Sequence, residues 1–209
     1  MVNLSTGGGS FTLSVEKDSG IPLIDIPVYV FSSSGTYLGF NARTDDQGEV
    51  SFDLADGDYK FRADYFGYQF FSNVYTVPGT LSDVLAITHQ DVTVTVNQIY
   101  GVDIDPLQGV NIYLFTGSGP YQGVNLVTDT NGQVTFNLPE KDYKVRADYL
   151  SQQHWSDVFS WQDVEVDINH GTAILHVTHN GQDVFDIPVY LFTESGSYLS
   201  RFGLRSLIY

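Results

Sequence analysis

Asp58-Tyr59-Lys60-Phe61-Arg62-Ala63-Asp64-Tyr65 returns as Asp142-Tyr143-Lys144-Val145-Arg146-Ala147-Asp148-Tyr149, with Phe61 against Val145 as the single difference. The offset is 84 residues, from 58 to 142. Val28-Tyr29-Val30-Phe31 returns at the same offset as Ile112-Tyr113-Leu114-Phe115, and once more as Val189-Tyr190-Leu191-Phe192. Internal repetition of this kind decides the fold before any single residue does. It divides the 209 residues into a flexible leader (1–10), a first unit (11–89), a second unit (90–170) and an incomplete third (171–209).

Within each unit the apolar residues alternate with period two, and Gly, Asn, Asp, Ser and Pro punctuate the runs. The first unit reads as seven strands near 11–15, 26–31, 37–43, 49–54, 59–66, 69–77 and 83–88. The second reads as seven near 92–96, 110–115, 121–127, 133–138, 143–150, 154–160 and 164–168. The fold class is all-β: tandem seven-stranded antiparallel Ig-like sandwiches, with a partial third repeat. Val50, Phe52 and Leu54 share one face of their strand, and Ser51 and Asp53 the other. Tyr59, Phe61, Ala63 and Tyr65 likewise oppose Lys60, Arg62 and Asp64, so the apolar sets are expected to meet between two sheets.

Two turns recur. Phe31, Gly35 and Tyr37 match Phe115, Gly119 and Tyr121, then Phe192, Gly196 and Tyr198, with unchanged spacing, as a hairpin with glycine at a positive φ would require. Thr44-Asp45-Asp46-Gln47-Gly48 matches Thr128-Asp129-Thr130-Asn131-Gly132, in which Asp caps the turn backbone. The units are joined by His89-Gln90-Asp91 and Asn169-His170-Gly171, links short enough to predict a semi-rigid rod.

The chain carries 25 acidic residues against nine basic ones, a net charge of −16. Nucleic acid and anionic membrane surfaces are excluded as partners, because no basic patch answers their phosphates. The absence of cysteine removes disulfides, thiolate metal sites and cysteine nucleophiles. No stretch is long and apolar enough to span a membrane as a helix, and Met1–Ser10 lacks the basic start and apolar run of a signal peptide.

The order of these motifs resembles a known family. A Pro-Val-Tyr-Val-Phe strand at 27–31, Thr-Asp-x-x-Gly at 44–48 and Gly-Asp-Tyr-Lys-Phe-Arg-Ala at 57–63 look like the prealbumin-like, Cna B-type and carboxypeptidase-regulatory-like repeats of bacterial surface proteins. The resemblance implies a stalk, adhesin shaft or pilus-like assembly at the cell surface. Some such repeats staple themselves with a Lys–Asn isopeptide bond. Here Lys17 is answered by Gln98 in the second unit, and the stretch 83–88 contains no Asn.

No catalytic residues are assigned, because the nucleophile elbow, phosphate loop and dinucleotide fingerprint are all missing from the sequence. The histidines His89 and His170 read as packing at the joins, and His176 and His179 fall on opposite sides of one strand, which is no geometry for zinc. Asp45/Asp46, Asp129, Asp103/Asp105 and Asp56/Asp58 read as turn caps that leave calcium open as the one possible ion. Lys60/Arg62 and Lys144/Arg146 are expected to pair with Asp across strands. Trp155 and Trp161 flank one strand of the second unit, with Phe71 in the place of Trp155 in the first, and are the candidate glycan-stacking residues.

The third repeat lacks the Thr-Asp turn, because Arg205-Ser206 stand in its place. Two or three strands with one apolar face are not stable alone. Leu175, Val177, Ile187, Val189 and Leu191 are therefore the candidate assembly interface, open to completion by a neighbouring copy through strand addition. The functional expectation is a non-catalytic extracellular or cell-surface structural repeat of a stalk or fibre. Its partners would be copies of itself or neighbouring repeats. The alternative is an adhesin module that binds a glycan or other ligand. The intact mass of the folded chain should equal the sequence mass, whereas loss of one ammonia per unit in the mass spectrum would reveal isopeptide bonds.

Overall fold

The computed structural model describes residues 7–18, 20–171, 173–184 and 188–198. In the first unit the strands are β1 (Gly8–Lys17), β2 (Ile21–Pro22), β3 (Pro27–Ser32), β4 (Tyr37–Arg43), β5 (Glu49–Ala55), β6 (Gly57–Tyr65), β7 (Tyr68–Val77) and β8 (Ser82–Ile87). In the second they are β9 (His89–Tyr100), β10 (Asp103–Pro106), β11 (Asn111–Thr116), β12 (Tyr121–Val127), β13 (Gln133–Pro139), β14 (Tyr143–Tyr149), β15 (Gln152–Trp155) and β16 (Val164–Asn169). Two short strands follow, β17 (Thr178–His179) and β18 (Gln182–Asp183).

Each unit is a two-sheet sandwich. Sheet β4-β3-β6-β7 faces a sheet in which β1 is central, with β5 and β2 along one edge and β8 along the other. The second unit repeats this with β12-β11-β14-β15 facing β9, β13, β10 and β16. Alternation sorts the residues as the sequence predicts. Phe11, Leu13 and Val15 are buried with Val50, Phe52 and Leu54, and they meet Phe61, Ala63, Val28 and Val30 of the other sheet. The Phe11 and Phe61 rings stack at 4.6 Å, with Tyr75 5.1 Å from Phe11. In the second unit Val92, Val94 and Val96 take the same places, against Ile112, Leu114, Val145 and Ala147. Each large apolar side chain so buried contributes roughly 1.5–3 kcal/mol of transfer free energy.

The structure departs from the sequence reading in four ways. First, the sandwiches are not wholly antiparallel, because β8 runs parallel to β1 and β16 parallel to β9. Alternation shows which face a residue takes but not the direction of the neighbouring strand. Second, each unit has an eighth, short strand, β2 or β10, whose exposed residues carry no alternating pattern. Third, Gly8, Gly9 and Ser10 are not leader: they pair with Ala55, Leu54 and Asp53. Glycine hides such pairing from pattern reading, since it has no side chain to bury. Fourth, His89-Gln90-Asp91 is not a link but the start of β9, so only Thr88 lies between β8 and β9.

The Thr-Asp corner is built alike in both units. Thr44 Oγ1 donates to Leu23 O (2.6 Å) and accepts from Ile26 N (2.9 Å). Thr128 Oγ1 does the same with Leu107 O (2.6 Å) and Val110 N (2.9 Å). Asp45 Oδ1 accepts from the backbone of Gln47 and Glu49, and Asp129 Oδ1 from Asn131 and Gln133, each at 2.9 Å. Thr44→Val keeps the shape but strands a buried donor and a buried acceptor. It should cost about 1–3 kcal/mol in urea unfolding, with Thr44→Ser close to the parent.

Candidate functional site

The outer face of the β4-β3-β6-β7 sheet carries an aromatic–cationic stripe. Antiparallel register puts Tyr29 opposite Arg62, and the guanidinium lies 4.4 Å over the Tyr29 ring and 5.3 Å over Phe31. Lys60 Nζ stands 4.8 Å over Phe71. The second unit repeats this with Arg146 over Tyr113 (4.6 Å), Phe115 (5.6 Å) and Trp155 (5.8 Å), and Lys144 over Trp155 (5.0 Å). The acidic partners are not across the strand, as expected from sequence, but two residues along it. Arg62 Nε meets Asp64 Oδ1 at 2.8 Å, and Arg146 Nε meets Asp148 Oδ1 at 2.7 Å. Residues i and i+2 share a face, so the cross-strand neighbour is left free to be an aromatic ring.

The two tryptophans do not form one platform. Trp155 is 45% exposed and its ring lies 4.8 Å from Phe115 on the outer face. Trp161 instead packs on the second core at a left-handed φ of 48°, and its indole N–H donates to Leu138 O at 2.8 Å. Phe71 does hold the place of Trp155, opposite Arg62 as Trp155 is opposite Arg146.

The candidate assembly residues lie where the third repeat leaves them open. Leu175 is 66% exposed, Leu191 50%, and Val177 and Val189 39% each, while Ile187 lies outside the described residues. The strands expected over 173–177 and 187–192 do not form among the described residues, which hold only the β17–β18 pair and a Phe192–Tyr198 bridge. The turn nevertheless persists: Thr193 N donates to Ser197 O (2.8 Å) as Ser32 N does to Thr36 O (2.8 Å). The Phe–Tyr ring pairs of the three hairpins, at 5.5, 5.3 and 5.6 Å, also match.

No group of three or more His, Asp or Glu residues converges on a metal-sized site among the described residues. Asp58 is not a turn cap: its Oδ1 accepts from Thr76 Oγ1 (2.6 Å), its cross-strand neighbour on β7. His89 sits at the join: Nδ1 lies 2.7 Å from Ile87 O, Nε2 lies 3.3 Å from Tyr65 Oη, and its backbone N–H donates to Asp18 Oδ1 at 2.8 Å. Burial holds its pKa below the ordinary value, favouring the neutral ring. His170 lies 4.6 Å from the Tyr100 ring and 5.7 Å from Tyr149, the counterpart of Tyr65. A shallow groove of about 530 Å³ over β9 is lined by Thr93, Thr95, Gln133, Asp163, Val164 and Glu165.

Sequence reasoning missed the contact between the units. The β6–β7 turn, Phe66-Gly67, holds both residues left-handed at φ 49° and 73° and drives its tip into the second unit. Phe66 and Tyr68 pack on the second core. Tyr68 Oη donates to Asp142 O and accepts from Gly117 N at 3.3 Å, and its ring meets Tyr143 edge-on at 5.5 Å. Lys141 Nζ lies 5.0 Å over Phe70 and 5.9 Å over Tyr68. A Cβ on Gly67 would come within 2.7 Å of Gln122 Oε1 and 2.8 Å of Thr116 Cγ2, so a side chain at this tip would crowd both. Burial raises the pKa of both the Tyr68 and the Tyr143 phenol. The signal lay where the repeats diverge: Phe66-Gly67-Tyr68 is answered by Leu150-Ser151-Gln152 directly after the near-identical run.

No protein-family model and no curated protein matches the chain. Solved structures do. The chain is similar to the Bacillus anthracis TIE protein at 15% identity and TM-score 0.37, with 78% of this chain covered. It spans only 34% of that protein's length. It is similar to GBS52, the minor pilin of Streptococcus agalactiae, at 15% identity and TM-score 0.42, covering 80% of this chain and 100% of that one. It is similar to a single B repeat of the collagen-binding surface protein of Staphylococcus aureus at 14% identity and TM-score 0.29, covering 77% and 97%.

Tyr68→Ala should uncouple the units without unfolding either. In NMR relaxation the parent should tumble as one body, and the variant should show two sets of shorter rotational correlation times.

Proposed function

We propose that the chain is a non-catalytic structural repeat module of an extracellular stalk or fibre on a cell surface, in which successive sandwiches are held in a fixed relation. The observation that carries this reading is the joint itself. One residue separates β8 from β9, and the Tyr68 plug fastens the far end of the first unit to the second. A connection of this kind transmits tension and bending along the chain, which a freely swinging linker does not. The resemblance to Cna B-type repeats agrees with this.

The exposed Leu175, Val177, Val189 and Leu191 support the further reading that copies associate head-to-tail by completing the third repeat, with Ile187 on the same stretch. The adhesin alternative is narrower than the sequence suggested, since of the two tryptophans only Trp155 presents an exposed ring. Sedimentation velocity over a wide concentration range tests both parts. An extended particle that grows with concentration is expected. A compact particle would overturn the stalk, and a strict monomer at the highest concentration would overturn self-association.

A further inference from the structure

The joint inside the chain defines a plug and a socket, and each unit carries both. The second unit's socket consists of Thr116, Gly117, Asp142 and Tyr143. Their counterparts in the first unit are Ser32, Ser33, Asp58 and Tyr59, each 84 residues earlier. The backbone is built alike, since Ser33 N donates to Asp58 O as Gly117 N does to Asp142 O.

Burial separates the two sockets. Thr116 is 2% exposed, Tyr143 0%, and Gly117 is half-buried. In the first unit Ser32 and Tyr59 are only half-buried and Ser33 is exposed, while Asp58 and Asp142 are exposed alike. Three of the four positions that meet the plug are thus more covered in the second unit than in the first. The opposite element is also free. The second unit's plug, Leu150-Ser151-Gln152, follows β14 as Phe66-Gly67-Tyr68 follows β6, and Tyr149 pairs with Gln152 as Tyr65 pairs with Tyr68. Ser151 and Gln152 are exposed and Leu150 is half-buried.

The shape of this free tip is conspicuous. Leu150 and Ser151 both hold left-handed backbone, at φ 50° and 61°, which costs an L residue roughly 1–2 kcal/mol each. They reproduce the Phe66-Gly67 turn without its glycine. The chemistry is preserved too. A glutamine amide both donates and accepts, as the Tyr68 hydroxyl does between Asp142 O and Gly117 N.

We infer that the Leu150–Gln152 tip of one copy of this chain docks into the Ser32/Ser33/Asp58/Tyr59 socket of a second copy, repeating between chains the joint already made within one. This deepens the stalk reading above and rests on it. It differs from strand completion by the third repeat, because it uses the first unit's socket and the second unit's plug.

The cysteine-free sequence makes the test clean. The contact between Gly67 and Thr116 places Ser151 of one copy against Ser32 of the next. The double variant Ser32→Cys with Ser151→Cys should give, on mild oxidation, a ladder of dimers, trimers and higher species on a non-reducing gel. Each single variant should stop at a weak dimer band. Adding Leu150→Asp, on a half-exposed tip residue, should remove the ladder while circular dichroism stays unchanged. A double variant with no more multimer than its singles would overturn the inference, and so would a ladder indifferent to Leu150→Asp. Sedimentation of the parent keeps the two claims apart. Association without the cross-link ladder rejects this socket and leaves the stalk standing, while absence of both rejects head-to-tail association altogether.

Discussion

Each sandwich hangs on its first strand. β1 is hydrogen-bonded along both edges, antiparallel to β5 and parallel to β8. Its inward residues Phe11, Leu13 and Val15 are wholly buried. β9 occupies the same place between β13 and β16. The strand that opens a unit is therefore completed only by the strand that closes it. Contacts of such sequence separation must be formed against the full loop-closure entropy. The unit behaves as all or nothing, and a copy without its closing strand has no edge to finish on.

The same constraint shapes the join. Because β8 runs parallel to β1, the chain leaves a unit at the end opposite its entry, with β9 beginning one residue later. The next unit must then continue onward and not fold back. The β6–β7 tip reaches forward to meet it, and Tyr68 converts adjacency into a fixed contact through two hydrogen bonds and the Tyr143 ring. His89 reinforces the spot from the other side, where its neutral ring meets the Tyr65 hydroxyl. Four of the basic residues, Lys60, Arg62, Lys144 and Arg146, are placed on the outer face, where Arg62 and Arg146 each bind a same-strand carboxylate and cover aromatic rings. These pairs are part-buried at the sheet surface, and with the guanidinium planes over the rings they shield aromatics that the sheet would otherwise offer to other chains.

Much of this was legible because it is local or periodic. The faces of β5 and β6 follow from alternation alone, and Phe61, Val50 and Leu54 fall inside as the pattern requires. The hairpin glycines and the Asp caps follow from turn chemistry. What escaped is what alternation does not encode. It carries no strand direction, so the parallel closure by β8 and β16 was invisible. It cannot register two-residue strands such as β2 or glycine pairing at Gly8 and Gly9. It also cannot see Tyr68, a single aromatic in a chain with 14 tyrosines, whose partner is a backbone carbonyl 74 residues away. Trp155 and Trp161 lie close in sequence, yet a bend and a left-handed Trp161 send one ring outward and the other to the core.

The third copy separates what a segment can do alone from what it needs a domain to do. Its Phe192–Tyr198 hairpin keeps the Thr193–Ser197 hydrogen bond, the left-handed Gly196 and the inclined contacts of the Tyr190 and Phe192 rings with Tyr198 seen in the complete copies. All of these are contacts within nine residues of sequence, from 190 to 198, so turn chemistry suffices. The stretch 173–177, by contrast, is the sequence counterpart of β1 and β9 but forms no strand, and among the described residues nothing corresponding to β5 or β8 flanks it. Leu175 and Val177 are exposed where Leu13 and Val15, or Val94 and Val96, are buried. The difference in burial goes with the lack of neighbours, since the apolar alternation of the stretch matches that of β1 and β9. Any surface that supplies an antiparallel edge on one side and a parallel edge on the other would bring this segment to the same state as its two predecessors.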